Sequence, residues 1–372
     1  MIASLIVSGN PVTNWEKFIR TFDANEVQAV RFEHRDLGGD WSAEFQVHPR
    51  LVTAPLADDF LNNGLGRQVE IYNARGLRVW IGFINSVVHQ RGGVEVISSL
   101  DDMANQLWVR HDAGAGVTRG GTYSDADSQD RYGTKVRVLV GGQAPTASVN
   151  LYAQKDLAWI AWPQASVRSI DPAGQKQSAS LTLKCYGYWH TFSWRVHNQT
   201  AVGGTANANV IISDVMAVGE FIRTNTVETN TLSLNRTYDS DRYADEVLRS
   251  VVEAGNATSK RMVCGVTGER DFYYRAAVSE TGVIKYSVGM WDPRARIHNE
   301  TGGVIAADEI RPDAWIRVEG MQMPRGVAYD NNIEDPSTTY LVGTIYDGDR
   351  DAVAMRADRN QFAEALLKRM SR

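Results

Sequence analysis

Cysteine is almost absent: Cys185 and Cys264 are the only two in 372 residues. Two thiols that far apart exclude a disulfide framework, and by themselves they cannot fill a zinc site. Lysine is scarce as well, 8 against 31 arginines, a compositional bias that points to no function. There is no excess of positive charge. Lys and Arg number 39 against 44 Asp and Glu, a net charge of −5. That argues against sequence-independent gripping of a phosphate backbone, although a local basic patch is still allowed. Long apolar runs are missing too. The longest, such as 79–84 and 157–162, fall far short of the roughly 18 residues of a spanning helix, so no membrane-spanning segment is expected. The apolar run within 1–10 has no basic stretch ahead of it, so it is not read as a secretory signal. The four Asn-x-Thr sequons, at Asn198, Asn235, Asn256 and Asn299, are therefore read as chance.

The usual marks of catalysis are also missing. No Gly-x-Ser-x-Gly elbow occurs, and none of the seven histidines stands in His-Glu-x-x-His. His190 and His197 lie in an aromatic segment without an identifiable carboxylate or thiol partner for a metal. Gly114-Ala115-Gly116 and Gly120-Gly121 are not followed by Gly-Lys-Ser/Thr, so they make no phosphate loop. Asp347-Gly348-Asp349-Arg350-Asp351 begins like a calcium loop but has Ala352 where the glycine belongs and Asp358 where the glutamate belongs. Asp125-Ala126-Asp127 and Asp239-Ser240-Asp241 read as solvated turns. A glycosidase carboxylate pair stays open, because such pairs are distant in sequence. The expectation is no enzyme, with no catalytic, cofactor-binding or metal site and no cofactor.

What is present is an ordinary globular balance, 43% apolar and 22% charged, enough for a sizeable core. The length allows two or three domains at roughly 100–200 residues each. Strands are expected at 41–47, 68–72 and 77–84, the last two joined by the turn Asn73-Ala74-Arg75-Gly76, and as a pair within 87–97 around Arg91-Gly92-Gly93. Ser99, Leu100, Met103 and Leu107 predict a capped helix. Residues 112–130 read as a loop and 154–162 as a short helix ended by Pro163. Strands 166–170 and 179–186 are expected to pair, with Cys185 a buried thiol. Residues 202–209 read as a loop, ahead of a helix carrying Ile211, Val215 and Val218. The clearest helix is capped by Ser240, shows Ala244, Val247, Leu248, Val251 and Val252 on one face, and ends at Gly255. Strands follow at 261–266, 271–278, 283–288, 314–320 and 340–346, and a terminal amphipathic helix carries Phe362, Leu366 and Met370. The fold class is α+β, β-dominated. Among the ten tryptophans, Trp159, Trp162, Trp189 and Trp194 form a cluster. It reads either as core and interface aromatics or as a platform for sugar rings.

This order of elements resembles the tail hub and minor tail proteins of bacteriophages. Trp41-Ser42-Ala43-Glu44-Phe45, followed by Leu65-Gly66-Arg67-Gln68-Val69-Glu70-Ile71, resembles the first strands of the hub's tube-like barrel. Trp80-Ile81-Gly82-Phe83-Ile84, a hairpin, and then Ser98-Ser99-Leu100-Asp101 with its helix resemble the aromatic-x-Gly strand and helix of that barrel. Ser128-Gln129-Asp130-Arg131-Tyr132-Gly133 ahead of Trp162-Pro163, with Gly187-Tyr188 through Trp194, is similar to a stretch of siphophage minor tail proteins. The helix ending at Gly255, with Gly265-Val266 and Arg270-Asp271-Phe272-Tyr273-Tyr274, resembles the second barrel.

The resemblance implies two tube-like β-barrel domains with inserted helices. Residues 1–110 would form the first and 111–178 a loop-rich connecting or inserted domain. Residues 179–345 would form the second barrel, and 346–372 a C-terminal tail. It implies a structural virion protein made in the host cytoplasm, a homotrimer at the tail tip or baseplate. Its implied partners are a distal tail or tail tube protein, a tape-measure protein and tip or fibre proteins, with DNA passing a central channel without specific binding. The alternatives are a six-fold distal tail ring, a carbohydrate-active protein and a receptor-binding module using loops 112–130 and 198–208.

Overall fold

A computed structural model describes residues 2–9, 20–112, 117–173, 178–197, 204–217, 221–235, 242–258, 260–278, 286–289, 296–319 and 338–357. The fold is β-dominated. The first part contains β1 (Ile2–Ser8), β2 (Arg20–Asp23), β3 (Val27–Arg35), β4 (Gly38–Val47), α1 (Ala54–Asn63), β5 (Gln68–Asn73), β6 (Arg78–Arg91) and β7 (Val94–Ser99). Strict alternation makes β5 a strand with Val69 and Ile71 inward. The β5–β6 turn is set by Asn73, whose Oδ1 accepts from the amides of Arg75 and Leu77, and by Gly76 at φ +73°. Thr53 caps α1 through the Leu56 amide, and Phe60 is buried with its ring 6.3 Å from that of Phe22.

The next part contains β8 (Gln106–Asp112), β9 (Val117–Ser124), α2 (Ala126–Tyr132), β10 (Val136–Gln143), α3 (Thr146–Ile160), β11 (Ala165–Ile170) and β12 (Ser180–Tyr186). Strands pair in the order β2–β1–β5–β6–β12–β4–β3. The two ends of this strip, β2 and β3, are consecutive in the chain and joined by the turn at 24–26. The strip is therefore curled until its ends lie side by side, yet no ladder joins them among the described residues; the outer edge of β3 pairs with a C-terminal strand.

Ser180–Tyr186, expected to open the second barrel and to pair with 166–170, instead lies inside this strip between β4 and β6. Its inward Leu181, Leu183 and Cys185 are the reason: they complete the core already lined by Phe45, Val47 and Val87. Ala165–Ile170 pairs with β7.

The helix expected after Ser99 is a turn followed by the strand β8. Ser99 Oγ accepts from the Asp101 amide, and Asn85 donates to the Asp101 carboxylate, so the local polar groups are satisfied without a helix. Leu107, Val109 and His111 then alternate inward with the period of a strand. The segment expected as a loop, 112–130, carries a strand and the start of a helix: β9 pairs with β8, and Asp125 caps α2 through the Ser128 amide. Glycines suit this strand because a Cβ on Gly120 would sit 2.9 Å from that of Val109. The predicted helix at 154–162 begins earlier, at Thr146, as α3. Strand β10 pairs parallel to β8, and α3 covers this sheet with its own small core of Leu107, Val109, Ala153 and Leu157.

After the 3-10 helix Tyr188–Trp194 come β13 (Val196–His197), β14 (Thr205–Asn207), α4 (Ala208–Met216), β15 (Thr224–Val227), β16 (Ser233–Asn235), β17 (Arg242–Tyr243) and α5 (Ala244–Ala254). In α4, Ile211 and Val215 are buried; Val218 lies outside the described residues. In α5, Val247, Leu248 and Val251 are buried, Asp245 and Glu246 sit in the first turn, and Gly255 ends the helix at φ +72°. Ser240 lies outside the described residues, and Tyr243 holds the N-cap position.

The last strands are β18 (Met262–Thr267), β19 (Asp271–Ala276), β20 (Tyr286–Gly289), β21 (Ile297–Asn299), β22 (Ala314–Glu319), β23 (Thr338–Asp347) and β24 (Ala352–Ala357). They are not a separate sheet. β23 pairs with β3, and β18 runs parallel to the start of β4, so the strip continues into the C-terminal strands on both sides of the β3–β4 turn. The expected terminal helix with Phe362, Leu366 and Met370 lies outside the described residues.

Candidate functional site

The β3–β4 turn, His34-Arg35-Asp36-Leu37-Gly38-Gly39-Asp40, is where three parts of the chain meet. Gly38 and Gly39 have φ of +120° and +77°, a backbone that side chains other than glycine rarely adopt. This turn faces the β18–β19 hairpin on one side and the segment ahead of β22 on the other. Between them is a cavity of about 510 Å³ whose polar walls include His34, Asp40, Arg78, Tyr273, Arg311 and Asp313.

Two buried carboxylates cross-link the junction. Asp36 is ion-paired with Arg261, and Asp313 with Arg275. Asp313 also accepts from the Tyr340 hydroxyl at 2.8 Å and the Val278 amide at 3.0 Å. Burial pushes the Asp36 carboxyl up to about 6, against the opposing pull of Arg261. The His34 Nδ1 lies 2.7 Å from Asp40 Oδ1. Burial and then the nearby Arg311 hold its pKa below the usual histidine range, despite Asp40. Arg311 donates to the backbone carbonyls of Val79 at 2.8 Å and Asp308 at 3.0 Å. The Asp36–Arg261 pair and the Arg311–Val79 hydrogen bond tie the curled strip to residues 225 and 232 positions later.

The residues singled out in the sequence are placed elsewhere and apart. His190 stacks on Tyr186 and packs tilted against Trp41, with ring centroids 4.4 Å from each. Burial draws its pKa down to about 4, and His197 is buried at β13. No group of three His, Cys, Asp or Glu suited to a metal occurs among the described residues. Cys185 and Cys264 are buried, free thiols whose pKa burial raises, the opposite of an activated nucleophile. Asp347, Asp349 and Asp351 surround the β23–β24 turn, where the Ala29 amide and the Tyr346 hydroxyl take Asp349 and Asp351 as acceptors. Asp125 is the cap of α2 and accepts from Trp162 Nε1; Asp239 and Asp241, and Gly114 to Gly116, lie outside the described residues.

The four tryptophans do not form one cluster. Trp189 and Trp194 are buried at 1% and 5% exposure, packed on Phe192 and on Phe83 and Phe221. Trp162 is half-buried against Tyr132, and Trp159 stands 72% exposed on α3. Sequence reasoning missed the junction. Its only local sign was the density of charge around Gly38-Gly39, which reads as a solvated turn unless the distant segments carrying Arg261, Arg275, Arg311 and Asp313 are known to cover it.

No family model and no curated protein matches this chain. Among solved structures it is similar to tail proteins. A tail protein from Neisseria meningitidis is 9% identical, with a TM-score of 0.44 over 97% of this chain and 98% of that one. The 43 kDa tail protein of prophage MuSo2 from Shewanella oneidensis is 7% identical, with a TM-score of 0.42 over 97% and 99%. The prophage tail protein gp18 from Listeria monocytogenes is 8% identical, with a TM-score of 0.42 over 100% of both chains.

Proposed function

We propose that this chain is a structural protein of a phage tail: a trimeric hub at the tail tip or baseplate that adapts a six-fold tube to a three-fold tip around a channel for DNA. The observation that carries this reading is the curled strip β2–β1–β5–β6–β12–β4–β3. It is built from the stretches around Trp41, Val69 and Gly82 that resemble the hub's first barrel. The C-terminal strands would supply a second barrel-like unit, so three chains would present six such units in a ring. Strand edges without a partner among the described residues, such as the edge of β11 turned away from β7, would be covered by neighbouring copies, which removes an aggregation liability. A net charge of −5 suits a passage that must not grip phosphate. The distal tail or tube protein, the tape-measure protein and tip or fibre proteins are the partners this role requires.

The test is the mass of the purified assembly by light scattering, with class averages of its end-on views. Three copies around an open channel with six similar lobes is the expected result. Six copies each giving one lobe would assign the chain to the distal tail ring. Turnover of a capsular polysaccharide or peptidoglycan, lost on replacing one carboxylate, would assign it to an enzyme.

A further inference from the structure

One ladder of strands runs β11–β7–β6–β12–β4–β3–β23–β24, and every pairing in it is antiparallel. It branches from the curled strip at β6, whose residues 78–83 pair with β5 and 86–91 with β7. Among the described residues, neither terminal strand has a partner on its outer edge. The two strands are of equal length, six residues each: Ala165-Ser166-Val167-Arg168-Ser169-Ile170 in β11 and Ala352-Val353-Ala354-Met355-Arg356-Ala357 in β24. Neither carries the proline or lysine by which exposed edges are commonly blunted, and a bare edge is a template for a strand of another chain.

The pleat puts apolar side chains on the same face at both ends. Residues directly opposite one another share a face. From the core residue Leu183 that face passes through Phe45, Ala43, Phe32 and Tyr346 to Val353 and Met355 of β24. In the other direction it passes through Val87 and Ser98 to Ala165 and Val167 of β11. The register shift between Val167 and Ser169 is a bulge that keeps Ile170, three residues on, on the face of Val167. Val167 and Ile170 are 59% and 70% exposed, and Val353 and Met355 are half-buried. The single charged side chain of each strand is neutralised within its own sheet, Arg168 by Glu95 at 3.4 Å and Arg356 by Glu33 at 3.1 Å. Bringing the two edges together therefore opposes no unbalanced like charges.

Strand direction fits the same contact. Eight strands that alternate in direction leave the first and the last antiparallel to each other. A rotation about an axis lying along the strands preserves direction, so β11 of one copy meets β24 of the next antiparallel, like every other pair of the ladder. Matching the apolar faces selects one register: Val167 opposite Met355 and Ile170 opposite Val353, with Ser169 opposite Ala354 on the other face. We propose that β11 of one copy adds to β24 of a second copy in this register, so that the ladder continues from subunit to subunit and the ring closes head to tail. This closure rests on the hub reading for its ring and adds the two strands that hold it. Pairing of β11 with itself would close a two-fold dimer and leave β24 bare.

Ser169→Cys and Ala354→Cys, both at exposed positions, are combined in the full chain, whose two native thiols are buried. Directly opposed residues of an antiparallel pair stand close enough for a disulfide. Mild oxidation of the assembled protein should give covalent dimers and closed trimers on a denaturing gel, reversed by reductant, while either single variant stays monomeric there. Val167→Glu with Ile170→Glu puts carboxylates on the exposed apolar face and should dissociate the assembly, read by light scattering, with an unchanged circular dichroism spectrum. Where the two readouts differ, the cross-link decides. Assembled trimers that the cysteine pair fails to cross-link overturn the closure and leave the hub reading standing. Cross-linked rings of another copy number uphold the closure and overturn the trimer. A wild-type monomer overturns both. Cross-linking by Ser169→Cys alone overturns the closure in favour of β11 pairing with itself.

Discussion

Gly39 and Gly265 meet main chain to main chain. A Cβ on Gly265 would stand 2.5 Å from the Gly39 nitrogen, and one on Gly39 would stand 2.3 Å from the Val266 carbonyl oxygen. This is where β18 runs parallel to β4, with Gly265 opposite Gly38 and Val266 opposite Gly39. The C-terminal strands are joined to the curled strip here by backbone contact that leaves no space for a side chain.

Gly265→Ala is therefore expected to push the two strands apart and destabilise the chain by about 1–3 kcal/mol, the usual cost of overpacking. Urea denaturation of wild type and variant measures it. An unchanged midpoint would show that the contact is not as tight as described.

Gly82→Val tests the strip itself. A Cβ at Gly82 would lie 2.2 Å from the Tyr186 carbonyl oxygen and 2.3 Å from Trp80 Cη2. Backbone on one side and a buried indole on the other leave no cheap relaxation. The expected outcome is loss of soluble, folded protein or a large fall in the melting temperature, read by circular dichroism. A variant that melts like wild type would refute the reading of Gly82 as a close-approach glycine.

The strip was legible where alternation and turn chemistry act locally. The Asn73–Gly76 turn, the hairpin at Gly92-Gly93 and the amphipathic α5 ending at Gly255 all stand where their own residues put them. The failures share one cause. Leu100, Met103 and Leu107 keep helical spacing but are buried by a turn and a strand, because the side chains of Asn85 and Asp101 satisfy the turn and β9 and β10 flank β8. The destination of β12 depends on strands more than 90 residues away, which no local pattern encodes. The polar junction was invisible for the same reason: its charges look solvated until the partners arrive.

The tryptophans separate packing from surface. Trp189, buried at 1% and set against Phe192 with centroids 5.4 Å apart, should cost about 3–5 kcal/mol as Trp189→Ala. Trp159, 72% exposed, should change stability by less than about 0.5 kcal/mol as Trp159→Ser. Thermal melts of both variants at equal concentration make the comparison. A Trp159→Ser melt as low as that of Trp189→Ala would reinstate the single aromatic cluster.

His190 sets a direction for the response to acid. Its pKa in the folded chain is about 4 against an ordinary 6.5, because burial disfavours the charged ring and the nearby Arg35 and Arg249 add to that. Between these values the unfolded chain binds the proton and the folded chain does not, so stability rises with pH there. The stability tied to neutral His190 is complete above about 6.5 and is lost as pH falls towards 4, by at most about 1.4 kcal/mol per pH unit. Asp36 acts the other way. Its folded pKa of about 6 lies above the ordinary 3.8, so the folded chain holds that proton more tightly and gains stability as pH falls through the same range. The wild-type curve alone therefore mixes the two. His190→Phe keeps a ring against Trp41 and Tyr186 and removes the titration together with the ring's hydrogen bond to the Trp41 backbone. Urea midpoints at pH 7 and pH 4.5 should show the variant gaining relative to wild type on acidification. A difference between the two proteins that does not change with pH would mean that His190 is as easily protonated in the folded chain as in the unfolded one, and that its place against the two rings is open to water.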